Sequence, residues 1–238
     1  MISILVPTLN EADNIPLLIN DLKKINFEFE LIIVDDNSTD NTSEVIEKYL
    51  NEKIRFIKRV SKNRDLSKSI ILGAKESKFD NILVLDCDLQ HEISNSNIMY
   101  DKLIKEKKDV VIGSRFFQRK YSGNLGFLRS FFSLLFIAII NICLNKKSSD
   151  PLSGFFMCKK NLLLEYEDFF YLNGYKILFD IIYNSKENLT ILDHQINFKK
   201  RKYGKSKLDL KIVMIFIKQC IFTFKNKKTY KFTIHRKS

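Results

Sequence analysis

Short apolar runs and longer amphipathic segments alternate along the first half of the chain. The runs are rich in Val, Ile and Leu, which is typical of strands buried on both faces of a parallel sheet. The predicted strands are Ile2–Val6, Leu31–Val34, Ile54–Ile57, Ile82–Leu85 and Val110–Ile112, and the predicted helices are about Asp13–Lys24, Thr39–Leu50, Leu66–Ser77 and Ser94–Lys105. This alternation predicts an α/β fold with a doubly wound, mostly parallel, Rossmann-like sheet.

The second half of the chain is less regular. We predict two more strands, an apolar helix, a short helix and a last amphipathic helix, near Phe155–Cys158, Leu189–Ile196, Gly126–Leu144, Tyr175–Tyr183 and Leu208–Phe224. No linker marks a second independent domain. The expected organisation is one domain over residues 1–207, followed by a basic amphipathic tail over residues 208–238.

The starts of two helices carry residues that favour helix capping. Ser38 or Asp40 can cap the second predicted helix, and Ser94 can cap the fourth, because their side-chain oxygens accept from backbone N–H groups of the first turn.

Positive charge is concentrated at the C-terminal end. The chain has a formal charge of +12, and residues 199–238 hold fourteen Lys or Arg against one acid, Asp209. Such a tail is either solvated or in contact with an anionic surface. Charge alone leaves both interpretations open.

Two segments are candidates for contact with a bilayer. The helix around Phe127–Leu144 is apolar but shorter than the roughly 20 residues that a span needs. The helix Leu208–Phe224 has one apolar side, formed by Ile212, Ile215, Phe216 and Cys220. We expect interfacial attachment rather than a transmembrane span. A core helix is the alternative for each segment.

Two features favour an intracellular location. A strand-like run begins at Ile2, so no signal peptide is expected. The four cysteines match neither a zinc pattern nor a C-x-x-C redox pair, so free thiols in a reducing compartment are expected.

Polar clusters follow three of the predicted strands: P-T-L-N-E, D-D-N-S and D-C-D-L-Q-H. Like-charged carboxylates at the end of an apolar strand repel each other unless a cation neutralises them. In an extended segment Asp86 and Asp88 point to the same side, and the amide oxygen of Gln90 comes next. These hard oxygen ligands suit Mg²⁺ or Mn²⁺. The alternative is a pair of ordinary turn acids, and His91 is left out of the predicted ligand set.

The ordered series P-T-L-N-E, V-D-D-N-S-x-D, D-C-D-L-Q-H, G-S-R, D-P-x-S-G-F and R-x-Y-G-x-S-K resembles the family 2 glycosyltransferases. More narrowly, it is similar to dolichol-phosphate mannose synthases and to bacterial polyprenyl-phosphate glycosyltransferases. The resemblance extends from Pro7 to Lys207. It implies a GT-A type fold and a nucleoside-diphosphate sugar as donor.

The resemblance implies a nucleoside site. Pro7, Leu9, Asn10 and Glu11 would line it, and Asp36 would accept from a base N–H. Leu9 stands where relatives often carry an aromatic residue that stacks on the base. A helix-capping acid is the alternative for Asp36.

One loop departs from the family pattern. Asp65 occupies a position at which relatives usually have glycine. The fit of this loop therefore depends on whether the backbone needs a positive φ there.

The resemblance also implies a metal and phosphate site. Asp86, Asp88 and Gln90 match the metal-binding positions, with the cation bridging the donor diphosphate. The residues that match phosphate-binding positions are Arg115, Arg129, Arg201, Ser206 and Lys207. Asp150 matches a position proposed for base or acceptor-orienting duty. The expected catalytic residues are thus Asp88, Asp150 and Arg201.

Three of these assignments have structural alternatives. Arg129 can be a helix-end arginine that snorkels from an apolar stretch. Asp150, which precedes a proline, can simply start a turn. The basic loop with Ser206 and Lys207 can be a solvated turn.

The resemblance implies an inverting transferase that moves a hexose from a GDP-mannose or UDP-glucose type donor to a dolichyl or undecaprenyl phosphate. It would use Mg²⁺ or Mn²⁺ and lie peripherally on the cytoplasmic face of an anionic membrane, with a membrane-anchoring partner as a further expectation. The alternatives are a family 2 enzyme that acts on a cell-surface glycan and a basic nucleic-acid-binding protein. The last leaves the D-x-D cluster unexplained, so no nucleic-acid partner is expected.

Overall fold

A computed structural model describes residues 1–61, 64–116, 140, 148–174, 176–184, 188–199 and 214–225 of the 238-residue chain. Seven strands form one sheet: β1 Ile2–Thr8, β2 Phe29–Asp35, β3 Ile54–Lys58, β4 Asn81–Val84, β5 Val110–Ser114, β6 Phe156–Lys159 and β7 Ile191–Gln195. The strand order across the sheet is β3-β2-β1-β4-β6-β5-β7. All seven predicted strands are therefore present, with bounds that differ by one or two residues.

Within the described residues the predicted helices are present, and a short helix at Lys160–Leu164 and a 3-10 turn were not predicted. The helices are α1 Ile15–Leu22, α2 Thr42–Glu47, α3 Leu66–Glu76, α4 Asn95–Lys105, α5 Lys160–Leu164, α6 Ile177–Asn184 and α7 214–225, with a 3-10 turn at Glu167–Phe169. The predicted helix near Gly126–Leu144 lies outside the described residues except for Ile140, which is helical and buried.

Alternate residues of the central strands point to opposite faces of the sheet, and both faces are buried. On one face Leu5 and Ile32 pack with residues of α3, α5 and α6. On the other face Ile4 and Leu31 pack with residues of α1, α2 and α4. This two-sided burial explains why the strands are continuous apolar runs rather than alternating patterns.

Strand β6 runs antiparallel to its two neighbours, β4 and β5, whereas every other pair in the sheet is parallel. Because β6 alone is reversed, its amino end lies at the same edge of the sheet as the carboxyl ends of the other strands. The segment that precedes β6, residues 148–155, is thereby brought to that edge.

Helix capping agrees with the prediction in part. The N-cap position of α2 is Asn41, but Asp40 accepts from the backbone N of Thr42 in the first turn at 3.0 Å, whereas Ser38 donates its hydroxyl to Asp35. Ser94 lies at the N-cap of α4 but makes no side-chain cap hydrogen bond. Asp65 caps α3 by accepting from the backbone N of Lys68 at 3.0 Å. Its φ is −157°, so Asp replaces the family's usual glycine there without left-handed strain.

Helix α7 packs on the core with the side that was predicted to face a membrane, so that part of the prediction is wrong. Phe216 is buried and contacts the ring of Phe179 with a centroid distance of 5.6 Å. Ile215 and Cys220 are half-buried, and Ile212 lies outside the described residues. The exposed apolar residues of α7 form a second stripe at helical spacing, made of Met214, Ile217, Ile221 and Phe224.

The cysteines and the helix lengths bear on two of the expectations. Cys87 and Cys158 have free, buried thiols, and Cys143 lies outside the described residues. Burial raises the pKa of the Cys158 thiol, which keeps it protonated. Within the described ranges, no helix has the length and apolar character needed to cross a bilayer.

Candidate active site

The candidate site lies where the strand order reverses. Strand β1 has β2 on one side and β4 on the other, so the chain moves outward to β3 before it returns to β4. In such sheets the ligand crevice opens beyond the carboxyl ends of the strands that flank this point. The polar clusters after β1, β2 and β4 all meet there.

Asp86 is the carboxylate that this crevice exposes. Its side chain is 38% exposed, although it follows directly on buried Leu85. Asp88 is buried, and its Oδ1 accepts from the backbone N of Gln90 at 3.1 Å. Leu89, which lies between Asp88 and Gln90, has a φ of 58°, a left-handed conformation that forms a tight turn. Gln90 Nε2 in turn donates to the carbonyl of Lys199 at 3.1 Å.

His91 orients Asp86, which the sequence interpretation did not anticipate. The imidazole is buried, and its Nε2 lies 3.6 Å from Asp86 Oδ2. The ring stacks on Phe155 at 5.0 Å and meets the edge of Phe198 at 5.3 Å. A histidine that directly follows D-x-D-x-Q was the available signal, but only the two aromatic neighbours fix its direction.

The electrostatic surroundings keep Asp86 ionised. Partial burial opposes its charged form, but the hydrogen-bonding and charge interaction with His91, together with Lys176 and Arg115, outweighs that cost. The pKa of Asp86 therefore lies below its usual range. An ionised carboxylate is the form that a divalent cation requires.

Gly154 makes room for Asp86. A Cβ atom at this glycine would lie 2.3 Å from Asp86 Oδ2, a separation that no carbon and oxygen can hold without a shift. The D-P-L-S-G-F segment thus needs glycine at this position because the carboxylate packs directly on its backbone. This contact joins two motifs that are far apart in the sequence.

The oxygen ligands at this edge fit Mg²⁺ or Mn²⁺ if substrate phosphates supply the rest of the coordination shell. Within the described ranges, no group of three or more His, Cys, Asp or Glu residues is close enough to hold a metal ion. Two carboxylates in one short segment are nevertheless the usual protein contribution to a magnesium site that substrate phosphates complete. The residues therefore fit a cation that arrives with a diphosphate.

The segment after β1 is held by the loop after β2. Asn10 has a φ of 56°, and its backbone N donates to Ser38 Oγ at 2.8 Å, while its Oδ1 accepts from the N of Thr39 at 2.8 Å. Glu11 accepts from Asn14 Nδ2 at 2.6 Å. Pro7 is buried within β1, and Leu9 is half-buried at its end.

The Asp36 carboxylate makes hydrogen bonds within the protein that the sequence did not indicate. The side chain is buried and accepts from the guanidinium of Arg59 and from the backbone N of Asp65. Arg59 is thus a site neighbour that sequence reasoning missed, and Asp65 was noted there only as a departure from the family pattern. Each reaches Asp36 through the tertiary structure, Arg59 by the pairing of β2 with β3 and Asp65 at the start of α3.

Arg115 and Asp150 form a buried, bidentate ion pair. Arg115 Nε donates to Asp150 Oδ2 at 2.7 Å, and its Nη2 donates to Oδ1 at 2.8 Å. The backbone N of Arg115 also donates to Oδ2, at 3.1 Å. Asp150 has no exposed surface, whereas the Arg115 side chain is 13% exposed. The carboxylate therefore fixes the direction of the guanidinium.

The segment that carries Asp150 is clamped to β7. Asp193 accepts from the backbone N of Ser149 at 2.5 Å and from the hydroxyls of Ser149 and Ser148 at 2.6 and 3.1 Å. Ser149 Oγ also contacts Ser114 Oγ at 2.7 Å. These bonds place Asp150 beside Arg115 at the end of β5.

Four predicted site residues lie outside the described residues: Arg129, Arg201, Ser206 and Lys207. Their predicted phosphate contacts remain predictions. The boundary predicted between residues 207 and 208 also lies there.

Comparison with known proteins adds independent information. A family model described as Glycosyl transferase family 2 matches residues 3–166. The chain is 32% identical over 227 residues to the dolichol-phosphate mannosyltransferase of Pyrococcus furiosus, covering 91% of the chain and 62% of the relative. It is 28% identical over 202 residues to that of Mycosarcoma maydis, covering 81% and 65%. The chain therefore spans less than two thirds of either relative.

Solved structures share the fold. The S. aureus TarS fragment 1–349 in complex with UDP-GlcNAc superposes with a TM-score of 0.65 at 20% identity, covering 93% of this chain and 66% of that one. The M. tuberculosis glucosyl-3-phosphoglycerate synthase with Mn²⁺, UDP-glucose and phosphoglyceric acid has a TM-score of 0.68 at 18% identity, covering 92% and 79%. These likenesses confirm the expected GT-A type α/β fold.

Proposed function

Because the chain belongs to glycosyl transferase family 2, we propose that it is an inverting hexosyltransferase. It would move a sugar from a GDP-mannose or UDP-glucose type donor to a polyprenyl phosphate. The observation that carries the proposal is the half-exposed Asp86 at the switch point of the sheet, packed on Gly154 and oriented by His91. Both relatives named above are dolichol-phosphate mannosyltransferases, which supports a lipid phosphate as acceptor.

The nucleoside would lie between the ends of β1 and β2. Leu9 offers an apolar contact there, and Asn10, Glu11 and the end of β1 at Pro7 line the same edge. Asp36 already accepts two hydrogen bonds, but a carboxylate has about four acceptor positions. A base N–H can therefore still be recognised by Asp36, with Arg59 holding the carboxylate in place.

Asp86, Asp88 and Gln90 would hold the divalent cation together with the donor diphosphate. When bound, the cation neutralises the negative charge that grows on the departing nucleoside diphosphate. Asp86 presents its carboxylate in ionised form, and the Leu89 turn brings Asp88 and Gln90 back toward the same edge.

Arg115 would bind phosphate of the donor or the acceptor, and Asp150 would act through it. A phosphate acceptor is already ionised at neutral pH, so little general-base help is needed. The bidentate contact instead suits Asp150 to the acceptor-orienting duty expected from the sequence. Arg129, Arg201, Ser206 and Lys207 are proposed to complete the phosphate contacts.

The donor site is tested by binding before any acceptor is known. We expect the melting temperature to rise with a nucleoside diphosphate plus Mn²⁺, since a ligand of the native state stabilises it by mass action. Asp88→Ala should abolish this rise and the transfer activity while the fold is retained. Transfer that persists undiminished in excess EDTA would contradict the metal-dependent assignment.

The acceptor is tested with two substrates. With the donor identified, transfer to undecaprenyl or dolichyl phosphate is expected. Transfer only to a glycan acceptor would instead support the alternative, a family 2 enzyme of cell-surface glycan synthesis.

Helix α7 would attach the protein to the cytoplasmic face of an anionic membrane. Its exposed apolar stripe of Met214, Ile217, Ile221 and Phe224 lies beside the exposed Lys218 and Lys225. Apolar insertion would combine with headgroup attraction of about 1 kcal/mol per nearby lysine. A membrane-anchoring partner protein on the same stripe is a further proposal.

The attachment is tested with two matched substitutions. Ile221 is 50% exposed on α7, and Ile98 is 49% exposed on α4. Ile221→Glu should weaken sedimentation with vesicles that contain phosphatidylglycerol, whereas Ile98→Glu should not. Equal sedimentation of both variants and the parent protein would contradict attachment through α7.

A further inference from the structure

Lys176 lies beside the candidate metal site, although no motif marks it. It precedes α6 and is half-buried, and its Nζ donates to the carbonyl of Leu152 at 2.9 Å. Leu152 is two residues from Gly154, on whose backbone the Asp86 carboxylate packs. Lys176 therefore holds the segment that forms one wall of the Asp86 site.

The ammonium group also brings a permanent positive charge to this wall of the site, where its contact with Leu152 holds it. A donor diphosphate brings further negative charge to this edge. A lysine at this position therefore offsets charge repulsion between the carboxylates and the incoming diphosphate.

The backbone of Lys176 is tied to the C-terminal helix. Its carbonyl accepts from Gln219 Nε2 of α7 at 3.1 Å. The same Nε2 donates to Asp180 Oδ2 of α6 at 2.7 Å, and Gln219 has no exposed surface. Gly174 allows this approach, because a Cβ there would lie 2.9 Å from Gln219 Oε1. Helix α7 is thus connected to the Asp86 site through one buried amide.

We propose that Lys176 is a positioning residue of the donor site and that Gln219 sets its place, so that docking of helix α7 is required for full donor affinity. This inference rests on the proposed function. It links the helix that carries the exposed apolar stripe to the site of chemistry. A protein whose α7 is displaced would keep its carboxylates but bind the metal–diphosphate pair less well.

Lys176→Met tests the first link. Isothermal titration with a nucleoside diphosphate plus Mn²⁺ should show about tenfold weaker binding, the effect of losing one charge-assisted contact. Lys176→Arg should restore part of the affinity, because it keeps the charge and the donor. With the donor sugar as substrate, KM should rise more than kcat falls.

Lys160 provides the matched control. Its Nζ also donates to a backbone carbonyl, that of Ser77, at 3.1 Å, but at the opposite end of the sheet. Lys160→Met should bind the nucleoside diphosphate like the parent protein. An equal loss in Lys160→Met, or parental affinity in Lys176→Met, would overturn the inference.

Gln219 and Thr223 test the second link. Both donate to Asp180, but only Gln219 also reaches Lys176. Gln219→Leu, or Gln219→Asn if the former does not fold, should weaken nucleoside-diphosphate binding severalfold, whereas Thr223→Val should lower only the melting temperature. Equal affinities in the Gln219 and Thr223 variants would overturn the role of α7. A parent protein that binds no nucleoside diphosphate would instead refute the proposed function itself.

Discussion

Asp86 and Asp150 lie at the same edge of the sheet but in contrasting environments. The Asp86 side chain is 38% exposed, and its contact with His91 is 3.6 Å long. Asp150 has no exposed surface and accepts three hydrogen bonds from Arg115. One carboxylate faces the crevice, and the other is committed to an internal cation.

This difference assigns ligand binding to Asp86 and a structural, supporting role to Asp150. A buried charge is costly unless it is paired, so Asp150 and Arg115 stabilise each other and hold one geometry. Asp86 is partly exposed and has a looser contact, to His91 at 3.6 Å, so its carboxylate stays accessible to a metal ion. Two aspartates at one edge of the sheet can therefore differ in use. Asp86 is available to bind a ligand, and Asp150 supports another side chain.

The largest expected effect tests the binding half of this comparison. Asp86→Ala should lower kcat by at least about a hundredfold, because it removes charge that acts on the transition state through the bound cation. The free energy of unfolding should stay near its original value. Steady-state kinetics and urea unfolding measure the two quantities. Asp80 is an exposed acid that directly precedes β4, at the edge of the sheet away from the site, and it provides the control. Asp80→Ala should change neither kcat nor the free energy of unfolding.

A second prediction tests the scaffolding half. Asp150→Ala should lower the free energy of unfolding by about 3–5 kcal/mol, because it removes the bidentate partner of the largely buried Arg115 guanidinium. The surface pair of Lys24 and Asp21 is the matched control. Asp21→Ala should cost less than about 1 kcal/mol. An Asp150→Asn protein of unchanged stability that has lost all transfer would favour a direct chemical role for Asp150 instead.

The third prediction concerns Asp180, a buried carboxylate that accepts hydrogen bonds and has no ion pair among the described residues. Burial raises its pKa to about 7, against the hydrogen bonds from Gln219, Thr223 and Tyr171. The folded protein therefore binds this proton more tightly than the unfolded chain, whose Asp has a pKa near 3.8. Stability should fall as pH rises from about 4 to about 7.

Asp180→Asn isolates this contribution. An amide imitates the protonated acid, so the variant should lack this part of the pH dependence. The stability difference between parent and variant should change by up to about 1.4 kcal/mol per pH unit in that window. Urea unfolding at several pH values measures it. A constant difference across the window would show that Asp180 stays in one protonation state.

The amino-acid sequence by itself determined most of the first half of the fold. Strands β1 to β5 are apolar runs because both faces of the sheet are covered, and that pattern is local. The acids Asp36, Asp86 and Asp88 were identifiable because they follow such runs directly. Features that depend on neighbouring residues in the chain can therefore be predicted from the sequence.

Only the tertiary structure decided which distant residues complete the site. The reversed strand β6 brings Gly154 against Asp86 and Asp150 beside Arg115. Packing also brings His91 to Asp86, Arg59 to Asp36 and Lys176 to the segment beside Gly154.

The helix α7 shows the same limit. Its sequence has two apolar sides, and periodicity could not tell which one packs on Phe179 and which is exposed. Those outcomes depend on contacts between residues far apart in the chain, which local propensity and spacing do not encode.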